Sequence, residues 1–151
     1  MAKATPALFT IGYELSRPDS MLKALKDARV QLLVDVRAVA ASRKPGFSKR
    51  QLSASLDGIG IRYLHLQKLG TPAEGRQAAR SGDMTTLWRI YNRHLKTHDA
   101  VEAMDELLSI VRSGQRACLL CFERDPAHCH RSRIAEIVRG RTGAKVTDLV
   151  P

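Results

Sequence analysis

The segment RACLLCFERDPAHCHR, residues 116–131, decides the fold. Residues Arg116 to Phe122 form a nearly continuous apolar run, which is typical of a strand buried on both faces of a parallel sheet. A polar loop opened by Asp125-Pro126 follows, and a helix is predicted over Arg131 to Arg139, with Gly140 as its cap. The segment therefore predicts a strand, a loop and a helix in direct succession, which is the repeating unit of α/β domains.

The same alternation extends over the rest of the chain. Apolar runs that predict further strands lie at Ala7–Tyr13, Gln31–Arg37, Ile61–Leu66 and Val146–Leu149, and segments with helical spacing separate them. We expect a single three-layer α/β domain over residues 1–151, with a mainly parallel sheet of about five strands flanked by helices. Ligands of such sheets occupy the crevice outside the carboxyl ends of the strands. Those ends are predicted at Gly12–Glu14, Asp35–Arg37, Leu66–Gly70 and Cys121–Glu123.

One stretch breaks the alternation. Residues 70–83 combine Pro72, Gly75 and Gly82 with small and basic residues, and they lack an apolar period. This composition predicts a mobile surface loop.

The charge balance points to an anionic partner. The 151 residues carry 25 Lys plus Arg against 15 Asp plus Glu, a formal net charge of +10, and 17 of the cations are Arg. The planar guanidinium suits bidentate recognition of phosphate or carboxylate. We therefore expect an anionic small molecule or a nucleic acid as partner, although charge that only keeps the protein in solution is an equal alternative. The sequence leaves the oligomeric state open.

No segment is predicted to enter a membrane. No apolar run reaches the roughly 18 residues that a membrane span requires. Residues Met1 to Thr10 lack the long apolar core of a secretory signal. We therefore expect a cytoplasmic protein.

The three cysteines form an odd set in a chain long enough to fold without disulfides, so free thiols in a reducing compartment are expected. Cys118 and Cys121 have the C-x-x-C spacing of a zinc knuckle. On a strand, however, residues three apart point to opposite faces, so this spacing cannot form one site. We accordingly predict neither a metal site nor a cofactor. Cys118 is interpreted as a small buried hydrophobe, and Cys121 either packs in the same way or borders the crevice.

Three residues at the start of the last helix are candidates for chemistry. Backbone amides and the helix dipole favour a thiolate or a bound anion at Cys129. His130 is a candidate for proton transfer, and Arg131 is a candidate for bidentate binding of the same anion. The alternative is that His130 points outward and Cys129 packs. A cysteine-phosphatase loop would need Arg six residues after Cys129, where Ala135 stands.

A second group follows the second strand. Asp35 and Arg37 share one strand face, so we expect an ion pair that lines the crevice, with a purely structural ion pair as the alternative. The basic loop after them adds Ser42 and Arg43 as binding candidates. Glu123 shares a strand face with Cys121 and is the best general acid or base candidate. The alternative is that Glu123 positions Arg131 or Arg37.

Few aromatic side chains are available for stacking on bases. Trp88, Tyr91 and Phe122 are predicted in the core. Tyr13, Phe47 and Tyr63 are left as possible stacking surfaces for a nucleic acid, and Tyr63 is kept as a binding candidate.

The motifs together resemble the domain of unknown function 488 family. The resemblance implies a small α/β fold and no established activity, and many relatives carry His at the position of Tyr13. The motifs that carry it are Thr10-Ile11-Gly12, Asp35-Val36-Arg37, Ser42-Arg43, Phe47, Gly60-Ile61 with Tyr63, Leu69-Gly70 and Leu120-Cys121-x-Glu123-x-x-Pro126-x-x-Cys129-His130-Arg131.

Three hypotheses about function follow. The first is that a crevice between the basic loop and the last helix holds a phosphate-bearing ligand, a nucleotide or a nucleic-acid end, and acts on it as an enzyme or only binds it. The second is a nucleic-acid-binding module without chemistry. The third is a structural or interaction partner with a vestigial pocket.

Overall fold

The apolar runs of the sequence form the strands of one parallel sheet. The computed structural model describes residues 5–151, so residues 1–4 of the predicted domain lie outside the described residues. Within it the sheet has five strands, and each pairs with its neighbours in parallel in the order β3-β2-β4-β1-β5. The strands are β1 (Ala7–Gly12), β2 (Leu32–Asp35), β3 (Arg62–His65), β4 (Ala117–Cys121) and β5 (Lys145–Leu149).

Six α-helices connect and cover the strands. Pro18 begins the first of them, where its missing N–H is not needed, and Gly143 ends the last in a left-handed conformation with φ of 74°. No helix in residues 5–151 has both the length and the apolar character that crossing a bilayer requires. The helices are α1 (Pro18–Asp27), α2 (Lys49–Asp57), α3 (Ala73–Arg80), α4 (Met84–His94), α5 (His98–Arg112) and α6 (His130–Thr142), and short 3-10 turns lie at Gln67–Leu69 and Pro126–His128.

Two hydrophobic cores lie on opposite faces of the sheet. On one face, α1 and α2 pack against side chains such as Leu33 and Leu120. On the other, α4, α5 and α6 pack against Val34 and Leu119. The alternation of neighbouring strand residues between the two cores follows from the period of two in a strand. The predicted three-layer α/β fold with a parallel sheet of five strands is confirmed.

The strand order creates a crevice at a defined place. From β2 the chain continues through α2 to β3, towards one edge of the sheet, whereas from β4 it continues through α6 to β5 on the other side. Adjacent parallel strands whose connections leave in opposite directions leave a gap at their carboxyl ends, and α/β proteins bind ligands there. The ends of β2 and β4 therefore mark the place where a site is expected.

The prediction of a loop over residues 70–83 is wrong for residues 73–80, which form α3. The helix buries only Gly75 and Ala78. A Cβ at Gly75 would lie 2.6 Å from the Thr71 side chain and 3.5 Å from Leu87 of α4, so the helices meet through small residues. The sequence of α3 shows no hydrophobic period because the helix packs closely without large apolar side chains, and this is why a loop was predicted.

The end of β1 lies directly against the segment that follows β4. Tyr13 N–H donates to the Cys121 carbonyl at 3.3 Å, and Glu14 N–H donates to the Phe122 carbonyl at 2.8 Å. A Cβ built at Gly12 would lie 1.7 Å from the Glu123 carbonyl oxygen. Only glycine allows this approach, which brings the ends of the two strands together.

The first prediction concerns this contact. We expect Gly12→Ala to lower the free energy of unfolding by about 1–3 kcal/mol, because the backbone after β4 must move away. The measurement is urea unfolding followed by circular dichroism. Gly140→Ala in α6 is the control, since nothing lies within 4 Å of its Cβ position and alanine favours a helix. Equal stability of Gly12→Ala and the wild type would contradict the close contact.

Candidate functional site

A cleft of about 680 Å³ opens at the carboxyl ends of β2 and β4, where the strand order places a crevice. One wall is formed by residues 37–39 and Ala41 after β2, and the opposite wall by residues 121–123 after β4 together with the start of α6. The rim is completed by α3, by the start of α4 and by Tyr13 and Glu14 after β1. The charged residues and histidines of its lining are Glu14, Arg37, Arg76, Arg80, Glu123, His128 and His130.

Arg131 lies beneath this cleft and does not line it. Its guanidinium is fully buried. Nε donates to the Thr10 hydroxyl at 3.2 Å, one terminal nitrogen donates to the Glu123 carbonyl, and the other donates to the Arg124 carbonyl at 3.1 Å. Burial lowers the pKa of Arg131, and the nearby carboxylates of Asp148 and Glu123 oppose this shift. The predicted role of Arg131, direct binding of an anion in the crevice, therefore lacks a free donor facing the cleft.

The charge of Arg131 is balanced through a hydroxyl. The Thr10 hydroxyl that accepts from Arg131 donates its own hydrogen to Asp148 on β5. This relay joins α6 to the two neighbouring strands β1 and β5. Arg131 is thus part of the structure that holds the cleft wall.

The predicted ion pair of Asp35 and Arg37 forms at the end of β2. Two guanidinium nitrogens of Arg37 donate to the two carboxylate oxygens of Asp35 at 2.7 and 2.9 Å. Arg37 also donates to the Phe47 carbonyl at 2.7 Å and to the Tyr13 hydroxyl at 3.2 Å. Burial alone would lower the pKa of Arg37, but Asp35 outweighs it and the pKa is raised. Arg37 reaches the cleft, whereas Asp35 is fully buried behind it.

Tyr63 belongs to the same network. Its hydroxyl donates to Asp35, and burial together with that carboxylate raises the pKa of Tyr63. Tyr63 is not among the residues that line the cleft. It supports Asp35 from β3 and does not offer a stacking surface there.

The basic loop after β2 reaches the cleft only at its first residues. The Ser42 hydroxyl accepts from Lys44 N–H at 3.1 Å, and Ser42 N–H donates to Ser48 at 3.0 Å. Arg43 is exposed. Neither Ser42 nor Arg43 lines the cleft, so their predicted binding role is not supported by their positions.

Cys121 and Cys129 are joined by a disulfide, so the expectation of three free thiols is wrong for these two. Cys118 is free and buried. The bonded cysteines are eight positions apart in the sequence, and the turn at 126–128 returns the chain so that the start of α6 lies against the end of β4. This proximity depends on the loop conformation, which the spacing in the sequence does not reveal.

Cys118 and Cys121 lie on opposite faces of the sheet, as the alternation of side chains along a strand predicts. Cys118 belongs to the core beneath α1 and α2, whereas Cys121 belongs to the opposite core. Burial raises the pKa of the Cys118 thiol, which agrees with its interpretation as a small buried hydrophobe.

His130 is held in one orientation at the start of α6. Its Nε2 lies 2.7 Å from the Val36 carbonyl and its Nδ1 lies 3.8 Å from Cys129 Sγ. Its ring packs edge-on against Tyr91 at 5.4 Å. Burial lowers the pKa of His130 to about 4, so the imidazole is neutral at pH 7. The alternative that His130 points outward is wrong, and the ring lies in the cleft wall.

Glu123 is the carboxylate best placed for acid or base chemistry in the cleft. One carboxylate oxygen lies 3.8 Å from Cys121 Sγ, on the side of the sheet that strand parity predicts. Arg131 contacts the backbone carbonyl of Glu123, and no ion pair holds the Glu123 carboxylate within residues 5–151. Burial raises its pKa. A carboxyl with a raised pKa and free oxygens is suited to proton transfer.

Sequence reasoning missed three residues of the cleft. Arg76 and Arg80 come from α3, where a loop was predicted, and their spacing of four places them on one helix face. Phe122 was predicted in the core but is 45% exposed in the cleft, because it lies beyond the end of β4 at Cys121.

The aromatic side chains differ from prediction in a second way. Tyr13 and Phe47 are buried, so the prediction that they are stacking surfaces is wrong. Their rings stack on each other at 4.5 Å and fill the space beside Arg37. Tyr91 is buried in the core as predicted. Trp88 packs against the same core, and part of the Trp88 side chain is exposed.

Fold and site together define a parallel α/β domain. Its candidate site lies at the carboxyl ends of the strands, between Arg37 on one wall and the Cys121–Cys129 pair on the other. A family model described as Domain of unknown function DUF488 matches residues 17–138, and the chain belongs to this family. Comparisons with curated proteins and with solved structures found no match. The predicted membership of this family is thereby confirmed over residues 17–138.

The second prediction concerns pH. Because the pKa of His130 is lowered from 6.5 to about 4, the unfolded chain binds the proton first, and stability falls as the pH drops from 6.5 towards 4. Arg131 and His94 oppose protonation and Asp35 favours it. We expect His130→Gln to remove about 2 kcal/mol of this loss. Urea unfolding at pH 7.5 and 4.5, with the disulfide intact, measures it. If the wild type and His130→Gln lost the same stability between pH 7.5 and 4.5, the claim that the imidazole is buried in its neutral form would be contradicted.

Proposed function

We propose that the cleft binds a phosphate-bearing ligand, a nucleotide or a nucleic-acid end, and that Glu123 acts on it as a general acid or base. The observation that carries the proposal is the presence of two arginines without a carboxylate partner on one rim of the cleft. An exposed aromatic ring lies in the same cleft, and the start of α6 forms part of its wall.

The cationic rim comes from α3. Arg76 is half-buried and donates to the Thr71 carbonyl at 2.8 Å, while Arg80 is exposed. In the described part of the chain no carboxylate lies within ion-pair distance of either guanidinium. Their charges are therefore available to an anion, unlike that of Arg37, which Asp35 neutralises.

The start of α6 adds a second feature that favours phosphate. Cys129 and His130 line the cleft at the first turn of this helix of 13 residues. The N-terminal amides of a helix and its dipole favour a bound anion. A phosphate between α3 and α6 would meet positive potential from both sides.

An apolar surface in the same cleft favours a base. Phe122 is 45% exposed and Val39 is 56% exposed, and both line the cleft. Stacking of a base on an aromatic side chain contributes about 1–3 kcal/mol. Neighbouring phosphate-binding and stacking surfaces are the combination that a nucleotide requires.

The chemistry assigned to this site depends on Glu123. Burial raises the pKa of its carboxyl, which favours a role in proton transfer. While its disulfide is intact, Cys129 has no thiolate to attack with, and a neutral His130 has no proton to give from Nδ1. Of the three catalytic candidates, Glu123 therefore remains as the acid or base. A cytoplasmic location is part of the proposal, since nucleotides are abundant there.

A nucleic-acid-binding module without chemistry is the second candidate. It is favoured by the formal charge of +10 and by cations outside the cleft, such as Arg43, Lys49 and Arg50. Binding of this kind depends on many phosphates at once, so its affinity falls steeply with salt. A nucleotide bound in a cleft presents only a few phosphates, so its affinity depends weakly on the salt concentration.

The third prediction tests the cleft. Isothermal titration of inorganic phosphate, nucleoside mono- and triphosphates and a short oligonucleotide should give saturable binding of at least one phosphate-bearing ligand. We expect Arg76→Ala and Arg80→Ala each to raise Kd about tenfold, because each removes a charged hydrogen bond. Phe122→Ala should raise the Kd of nucleotides about tenfold and leave the Kd of inorganic phosphate unchanged.

Arg139→Ala is the matched control. Arg139 is exposed on α6, about 14 Å along the helix from His130, and carries the same charge. Its substitution should leave Kd within about twofold. Equal weakening by Arg139→Ala and Arg76→Ala would assign the binding to net charge alone. Absence of saturable binding by every phosphate ligand would refute the proposal.

A further inference from the structure

We propose that reduction of the disulfide converts Cys121, Cys129 and His130 into a zinc site, in which two thiolates and one imidazole hold a single Zn²⁺ ion and a fourth position faces the cleft. The proposal does not depend on the binding of phosphate. It rests on three ligand atoms, on the group that orients the imidazole and on the charges around the sulfurs.

The ligand atoms already lie close to the spacing that zinc requires. The two sulfurs and one imidazole nitrogen all lie within 4.8 Å of one another, and Nδ1 of His130 lies 3.8 Å from Cys129 Sγ. Zn–S bonds of about 2.3 Å and Zn–N bonds of about 2.0 Å in tetrahedral geometry place neighbouring ligands about 3.5–3.8 Å apart. When the sulfur–sulfur bond opens, the sulfurs need only separate to this spacing.

The orientation of His130 presents a lone pair to the site. Nε2 lies 2.7 Å from the Val36 carbonyl oxygen, which can only accept a hydrogen bond, so Nε2 carries the proton. Nδ1 is then the unprotonated nitrogen, and it is the one that faces Cys129. Zinc-binding histidines characteristically donate their second N–H to a carbonyl or carboxylate, which fixes the ring. The edge contact with Tyr91 holds the same orientation from the other side.

The surrounding charges suit a thiolate pair with a divalent ion. One terminal nitrogen of Arg131 lies 3.1 Å from Cys121 Sγ and can donate to it. A neighbouring guanidinium stabilises the thiolate, which is the form that binds metal. Two thiolates and one Zn²⁺ ion together carry no net charge, so burial of the group is not opposed by an unbalanced charge.

The site would have three protein ligands and one open position. Cys121, Cys129 and His130 all line the cleft, so the side of the ion away from the protein faces it. Three protein ligands with water in the fourth position is the arrangement of catalytic zinc. The Glu123 carboxylate, 3.8 Å from Cys121 Sγ, lies beside that position.

Formation of the site is a balanced sequence of two steps. A phosphine reductant transfers two electrons to the Cys121–Cys129 bond, takes the oxygen of one water as phosphine oxide and leaves two thiols. Zn²⁺ then replaces the two thiol protons, which pass to solvent. The oxidised pair has no thiolate and holds no ion, so binding is linked to the redox state.

The chain contains a control for the two bonded cysteines. Cys118 is free and buried in the core on the opposite face of the sheet. Its side chain cannot join the group. Cys118→Ser therefore tests whether zinc binding needs these particular thiols or any thiol.

The fourth prediction is measured by competition between the protein and a chromogenic zinc chelator. Wild-type protein reduced by a phosphine should bind one Zn²⁺ per chain, and the oxidised protein should bind none. Cys129→Ser and His130→Gln should weaken binding about 100-fold or more, whereas reduced Cys118→Ser should bind as the wild type does. Co²⁺ in place of zinc should give the absorption bands of a tetrahedral thiolate site.

The comparison of reduced and oxidised wild type needs no variant, so it decides the question even where a substitution prevents folding. Equal binding in the two redox states would overturn the proposal, as would absence of stoichiometric binding in the reduced protein. Loss of binding in Cys118→Ser that folds normally would also overturn it. Octahedral Co²⁺ bands would show that the thiolates are not ligands.

Discussion

The buried guanidinium of Arg131 is the contact on which the site depends. It lies where α6 begins and donates to Thr10 on β1 and to the carbonyls of Glu123 and Arg124 after β4. Each of these three oxygen atoms accepts a hydrogen bond from a charged donor, and a bond of this kind contributes about 1.5–3 kcal/mol. Through one side chain the helix start, the central strands and the cleft wall are held in a single arrangement.

The structural use of Arg131 explains why the ligand-binding charges come from elsewhere. The motifs contain three arginines. Arg43 lies outside the cleft, and Arg37 and Arg131 both donate their hydrogen bonds to neighbouring protein atoms. Arg76 and Arg80 on α3 carry the free charge. Arg37 and Arg131 thus shape the cleft, and a helix without a recognisable motif supplies the cationic rim. The cysteine pair and His130 complete the wall that Arg131 supports.

The sequence predicts well where a local rule decides the outcome. Continuous apolar runs identify the strands, and strand parity predicts both the pair of Asp35 with Arg37 and the separation of Cys118 from Cys121. Prediction fails where the chain turns back on itself. The contact of Cys121 with Cys129 depends on the loop between them, α3 packs through small residues that leave no hydrophobic period, and Phe122 lies one residue beyond the end of β4.

The measurement that tests this account most directly is the free energy of unfolding of Arg131→Met, which keeps the aliphatic bulk and removes the donors. Loss of the contacts to Thr10 and to two carbonyls should cost about 3 kcal/mol or more, measured in urea by circular dichroism. Arg139→Met on the exposed end of α6 is the matched control and should change stability by less than about 0.5 kcal/mol. Wild-type stability in Arg131→Met would contradict the claim that this guanidinium holds the site together.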